Sequence, residues 1–211
     1  SFASGQEEIA GPLRVAAPVS FGRLCIAPLL GEFLARHPKV RIDLRLNDQN
    51  EDVLKENIDL AIRIDTVKHE GLVAVSLGDS PRRVYAAPAY LQQHGTPLEP
   101  ADLTRHNCLA FTLLEHYDTW RFDQEGRQHC VTIKGNVTSN SSEAIREMVL
   151  SGLGICLSPQ WLFAADLRQG TVSQLLGDYQ PTALPINAVF SSDRRRSART
   201  RAFVDFLRER L

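Results

Sequence analysis

Gly11-Pro12-Leu13-Arg14-Val15-Ala16-Ala17-Pro18-Val19-Ser20-Phe21-Gly22, then an amphipathic run to Arg36-His37-Pro38, then Val40-Arg41-Ile42-Asp43-Leu44-Arg45-Leu46, reads as strand, polar turn, helix and strand. Leu13–Ala17 is the first predicted strand. The helix spans Phe21 to Arg36, with Leu29, Leu30, Phe33 and Leu34 as its apolar stripe. Pro28 kinks it or opens a fresh first turn, and His37-Pro38 ends it. In Arg41–Leu46 apolar residues alternate with charged ones, which suits a strand with one wet face, at a sheet edge or an interface. In open α/β sheets ligands sit beyond the carboxyl ends of the strands, where the next helix begins. The turn at Ser20 therefore points to a small anionic or polar ligand met by free N–H groups.

Further along, the pattern predicts a short helix over Glu51–Asn57 and strands at Leu60–Ile64, Leu72–Leu77 and Val84–Ala87. Helical turns follow at Ala89–His94 and Ala101–His106, then strands near Cys108–Phe111, Trp120–Phe122 and Gln128–Val137. A helix from Asn140 to Leu150, a buried strand at Ile155–Leu157, a helix at Trp161–Leu167, a strand at Ile186–Phe190 and a terminal helix over Ser197–Leu211 complete the series. Alternating strands and helices predict an α/β protein with parallel-rich sheets. A break at Pro88 and a return at Pro185 predict two lobes joined by two crossings: 11–86 with 185–211, and 87–184, after a polar tail over 1–10.

At 211 residues with net charge -1, there is no global basic field, which argues against tight nucleic-acid binding by this stretch itself. No apolar run approaches the roughly 20 residues of a membrane span. Ser1–Ala10 has neither the basic nor the apolar segment of a signal peptide and no initiator Met, so the chain reads as processed or cut. Cys25, Cys108, Cys130 and Cys156 lack CxxC spacing and read as buried free thiols of a reducing compartment. The six His lack metal-ligand spacing, no nucleophile–base set stands out, and neither a metal, a cofactor nor an enzyme activity is expected. Gly152 and Gly154 read as a left-handed turn and a close strand approach rather than a phosphate loop. Arg194-Arg195-Arg196, with Arg199 and Arg201, reads as a solvated loop before the last helix.

The residues 11–20, Ala27-Pro28-Leu29-Leu30 through His37-Pro38, Asp59-Leu60-Ala61-Ile62-Arg63-Ile64, Ala87-Pro88-Ala89-Tyr90-Leu91 and Gly152-Leu153-Gly154-Ile155 with Leu157-Ser158-Pro159 resemble, in order and spacing, the effector-binding domain of LysR-type transcriptional regulators. Ala-Pro-Val-Ser-Phe-Gly-Arg at 17–23 is similar to the CrgA-like branch. The resemblance implies a two-lobed, type 2 periplasmic-binding-protein-like fold: two mixed sheets flanked by helices, with two inter-lobe crossings and an effector cleft. It also implies homodimers or higher homo-oligomers, cytoplasmic location, and DNA contact only through an N-terminal winged helix-turn-helix absent from this chain. In such a dimer the Ala27–Arg36 helix and the Arg41–Leu46 strand would pack on the partner's second lobe.

Candidate ligand-binding residues are Val19, Ser20 and Phe21 at the first turn, although Ser20 also fits a plain helix cap. Asn47 and Asp48 follow the second strand, and Asp48 fits equally a cap for Glu51–Asn57. Ile64 and Thr66 end the third strand, Phe111 and Thr112 would supply an apolar wall and a hydroxyl, and Asn140 and Ser141 open a helix as cleft lining or as its cap. A solute-binding protein of a transporter and an enzyme on the same fold remain the alternatives.

Overall fold

The computed structural model describes residues 8–65, 71–192 and 197–211. In chain order its elements are β1 (Gly11–Ala17), α1 (Val19–Phe21), α2 (Leu30–Arg36), β2 (Val40–Leu46), β3 (Leu60–Ile64), β4 (Leu72–Ser80), β5 (Arg82–Ala86), α3 (Pro88–His94), β6 (Ala110–Phe111), β7 (Thr119–Gln124), β8 (Arg127–Thr132), β9 (Thr138–Ser139), α4 (Ser142–Leu150), β10 (Cys156–Pro159), α5 (Gln160–Gln169), β11 (Ser173–Leu175), β12 (Gln180–Pro181), β13 (Leu184–Ser191) and α6 (Ala198–Arg210). Two compact units emerge, one of the described residues up to Gly78 with Pro185–Leu211, the other Asp79–Leu184.

The first unit is built on a five-stranded sheet in the order β2-β1-β3-β13-β4. β1 runs parallel to β2 and β3, whereas β13 returns antiparallel to β3. Central β1 buries Leu13, Val15, Ala16 and Ala17, while edge β2 keeps the expected alternation over 41–44, Ile42 and Leu44 half-buried against exposed Arg41 and Asp43, and loses it at its end, where Arg45 is half-buried and Leu46 exposed. Asp59 locks β1 to β3: its Oδ2 accepts the Arg14 N–H at 2.8 Å and its own N–H donates to the Arg14 carbonyl at 2.9 Å.

The predicted helix over Phe21–Arg36 is a chain of short helical pieces. Between α1 and α2 lie a π-turn over Gly22–Ile26, in which the Ala27 N–H reaches the Gly22 carbonyl, and a 3-10 turn over Ala27–Leu29. Pro28 lacks the N–H that a regular helix needs there, so the ladder is re-spaced around it. α2 packs Phe33 against Phe203 and Phe206 of α6, with ring centroids 4.9 and 5.3 Å apart. Phe203, Phe206 and Leu207 form the buried face of α6, and Leu211 beyond its end is 40% exposed.

The predicted helix over Glu51–Asn57 does not form. The side chain of Asp52 accepts from the N–H groups of Leu54 and Lys55, both at 3.1 Å, and Asn57 turns left-handed at φ 58°, so the segment closes after one turn.

The second unit corrects the expectation of parallel-rich sheets. β10-β5-β11 and β12-β7-β8 pair antiparallel, and β6–β9 is a parallel pair. β5, placed by the sequence in the first lobe, is the middle strand of β10-β5-β11 and lies in the second unit. The core here gathers Val84, Tyr90, Leu103, Trp120, Phe122, Ile133 and Leu157 among others. Gly152 is left-handed at φ 84°, and the Gly154 backbone lies against the Asn107 carbonyl.

Tyr90 anchors a polar knot in that core. Its oxygen accepts the Asn107 N–H at 3.2 Å and lies 2.9 Å from His106 Nδ1. The direction of the Tyr90–His106 bond follows the His106 tautomer: the hydroxyl donates when Nδ1 of the neutral ring is bare and accepts when Nδ1 carries the proton. Burial first, then the charges of His94 and Arg105, hold the His106 pKa below the ordinary value, against an opposing pull from Asp102. A base whose folded pKa is depressed takes up its proton more readily when unfolded. Stability should therefore be full above about pH 6.5 and decline as pH falls through the unfolded value toward the folded one. The urea midpoint should drop more between about pH 7 and 5 in the wild type than in His106→Gln. Equal drops would contradict this assignment.

The four thiols are free. Burial raises the pKa of Cys25 to about 11 and of Cys108 and Cys156 to about 12, so all three stay protonated near neutrality. Cys130 departs from the expectation of buried thiols: the alternation of β8 puts it on the exposed face, where Arg121 Nη1 lies 3.3 Å from its sulfur.

Candidate functional site

In the first unit the carboxyl ends of β1, β2 and β3 converge on the 18–22 turn. Pro18, not Ser20, is the cap of α1, and no side chain caps its first N–H groups from within the turn. That role falls to Asp48, whose Oδ1 accepts the Val19 N–H at 3.1 Å. Asp48 is thus not the cap of a helix at 51–57 but the anion at the start of the 19–36 helical run. This arrangement disfavours a second anion at the same point.

Ser20 is 1% exposed, and its Oγ has no hydrogen-bond partner. The plain-cap reading of Ser20 therefore fails: the hydroxyl is buried and unspent. An unpaired buried hydroxyl costs stability. Ser20→Ala should leave the thermal midpoint of the free protein unchanged or slightly higher. A fall of more than about 1 kcal/mol in unfolding free energy would show a structural role instead.

Phe21, expected to face a ligand, is 2% exposed and belongs to the core. At Gly22 a Cβ would meet the tip of the Leu46 side chain of β2, which would have to turn aside. Val19 is half-buried, while Asn47 is exposed with Oδ1 accepting the Gln49 N–H at 3.0 Å. Ile64 is half-buried opposite Ile186, and Thr66 lies outside the described residues, as do Arg194, Arg195 and Arg196.

In the second unit the parallel pair β6–β9 brings the other candidates together. Phe111 pairs with Ser139, and the Thr112 N–H donates to the Ser139 carbonyl at 2.9 Å. Asn140 is exposed at the following bend. Ser141 caps α4, its Oγ accepting the Ala144 N–H at 3.2 Å, while its own N–H donates to Ser139 Oγ at 3.1 Å. The cap reading of Ser141 thus holds; its hydroxyl proton is left to donate elsewhere.

Two first-unit residues escaped the sequence reading. Arg63 and Glu51 border a small pocket with Ala16, Pro18, Asn47 and Gln49. The signal was present in Leu60-Ala61-Ile62-Arg63-Ile64, where one cation interrupts an apolar central strand. Among the described residues no three or more His, Cys, Asp or Glu side chains gather as a metal site, and no helix is long and apolar enough to cross a membrane.

The family model of the LysR substrate binding domain matches residues 6–211. The HTH-type transcriptional regulator PtxR of Pseudomonas aeruginosa is 32% identical over 98% of this chain and 66% of its own length. The HTH-type transcriptional regulator CrgA of Neisseria meningitidis serogroup C is 34% identical over 95% of this chain and 67% of its length. The chain thus spans about two thirds of the length of these relatives. The solved CrgA regulatory domain from Neisseria meningitidis, 33% identical, superposes with a TM-score of 0.82 and covers 95% of this chain and 98% of that domain.

Proposed function

The chain belongs to the LysR substrate-binding domain family, and from that membership we propose that it is the effector-sensing part of a LysR-type transcriptional regulator. The family match over residues 6–211 carries this reading. In it, a small polar molecule is taken up at the first unit's strand ends, with Val19, Ser20, Asn47, Asp48 and Ile64 at or near the contact. Phe111, Thr112, Asn140 and Ser141 form a separate polar group around β6–β9 in the second unit, and Phe21 holds the turn from the core of the first. The Ser20 hydroxyl has no partner and is closed to solvent, so in this reading the turn opens when the ligand binds and the hydroxyl then gains its partner. The Asp48 carboxylate on the Val19 N–H favours a polar or hydrogen-bond-donating ligand over an anion at that spot.

Binding stabilises one of two conformations of a homodimer in the cytoplasm and so alters DNA affinity through a helix-turn-helix outside this chain. The edge position of β2 leaves it a surface for subunit contact. Catalysis and solute transport lose support, because the relatives are regulators.

Fluorescence anisotropy of the full-length protein on its own upstream DNA tests the reading. A compound that raises the chain's melting temperature should also change DNA affinity. Binders that leave DNA affinity untouched, or a full-length protein without DNA affinity, would refute it.

A further inference from the structure

Beside Pro18, the ends of β1 and β3 and the 47–51 segment border a pocket with room for about one water-sized group. Two of its bordering residues hold buried polar atoms with no hydrogen-bond partner, Arg63 Nε and Glu51 Oε2. Both side chains are otherwise fixed. Arg63 Nη2 donates to the Glu51 carbonyl at 2.9 Å, and Arg45 Nε stands 3.6 Å from Glu51 Oε2, beyond a normal hydrogen bond. Burial pulls the Arg63 pKa below its ordinary value, against the opposing charge of Asp52.

The pocket thus borders one donor and one acceptor without hydrogen-bond partners, and the charges about it, Arg63 and Arg45 against Glu51 and Asp52, offset each other. A carboxylate would satisfy Arg63 but stand against Glu51, and an ammonium group would do the reverse. A hydroxyl or a carboxamide donates and accepts at once, carries no charge to desolvate, and leaves neither wall atom orphaned.

We propose that this pocket is a subsite for an uncharged hydroxyl or primary carboxamide group of the ligand, with Arg63 Nε–H donating to its oxygen and Glu51 Oε2 accepting from its O–H or N–H. The proposal rests on the effector-binding reading and narrows it, because the sequence alone pointed to an anionic or polar ligand.

The test is a ¹H–¹⁵N spectrum of the labelled chain in which the Arg63 Nε–H cross-peak is followed during titration with acetamide, acetate and methylammonium. Loss of that peak in Arg63→Lys assigns it. Acetamide should shift it saturably, with acetate and methylammonium at least about tenfold weaker. Glu51→Gln removes the like charge and should raise acetate affinity about tenfold, erasing the preference. Acetate binding the wild type as tightly as acetamide, or no probe moving the peak, overturns the subsite. If compounds still raise the melting temperature while the Arg63 peak stays still, the subsite is wrong and the effector reading stands.

Discussion

Gly154→Ala should leave little folded protein. The Gly154 backbone runs against the Asn107 carbonyl so closely that a Cβ would overlap that oxygen. The obstacle is backbone, not the tip of a flexible side chain, so it cannot swing aside. Asn107 is itself pinned. Its carbonyl accepts the Ile155 N–H at 2.9 Å, and its Nδ2 donates to Asn136 Oδ1 at 2.8 Å and to the Leu153 carbonyl at 3.0 Å. Relief of the clash would break this junction and shift Ile155, which is fully buried. The expected loss is at least about 3 kcal/mol, a large share of the stability of an ordinary domain. Soluble yield and the circular dichroism melt are the readouts. A melting temperature within about 2 °C of wild type would refute the packing argument.

Asp166→Ala should also be strongly damaging. Asp166 is 4% exposed on α5, and Arg146 of α4 grips both of its oxygens, Nη2 to Oδ1 at 2.8 Å and Nε to Oδ2 at 3.0 Å. The pair raises the Arg146 pKa, chiefly through the hydrogen bond to Asp166. Removing the carboxylate leaves a half-buried guanidinium with the exposed Glu147 carboxylate at 3.1 Å and the charge of Glu143. Breaking a buried pair from one side costs about 2–4 kcal/mol, or roughly 4–15 °C in a domain of this size. Asp166→Asn keeps one acceptor and should lose less. A denaturant midpoint for Asp166→Ala equal to wild type would show that the pair contributes nothing net.

Much of the first unit was legible because its signals are periodic and local. Strand, turn and strand over 11–46 and the apolar face of α6 follow from side-chain alternation and helical spacing. The segment 51–57 misled because the Asp52 side chain captures two backbone N–H groups and ends the turn, a competition that composition does not reveal. In the second unit the strands are short, two to six residues, and their antiparallel pairing depends on partners distant in sequence, such as β5 with β10. At the candidate site, Ser20 and Asp48 were visible as polar residues at strand ends. Which of them caps the helix was not, because capping depends on where the chain brings Asp48 back to Val19. Arg63 and Glu51 were missed for the same reason: their unspent atoms exist only once the 47–51 segment folds over the end of β3.

The most direct trial of effector binding at the Ser20 turn is a calorimetric titration of one compound that raises the melting temperature, run on the wild type and on Ser20→Ala side by side. The hydroxyl has no partner in the free protein, so its removal should leave folding intact while weakening the compound about tenfold or more. Equal affinity in the two proteins, or a screen of small polar molecules in which none raises the melting temperature, would contradict the account.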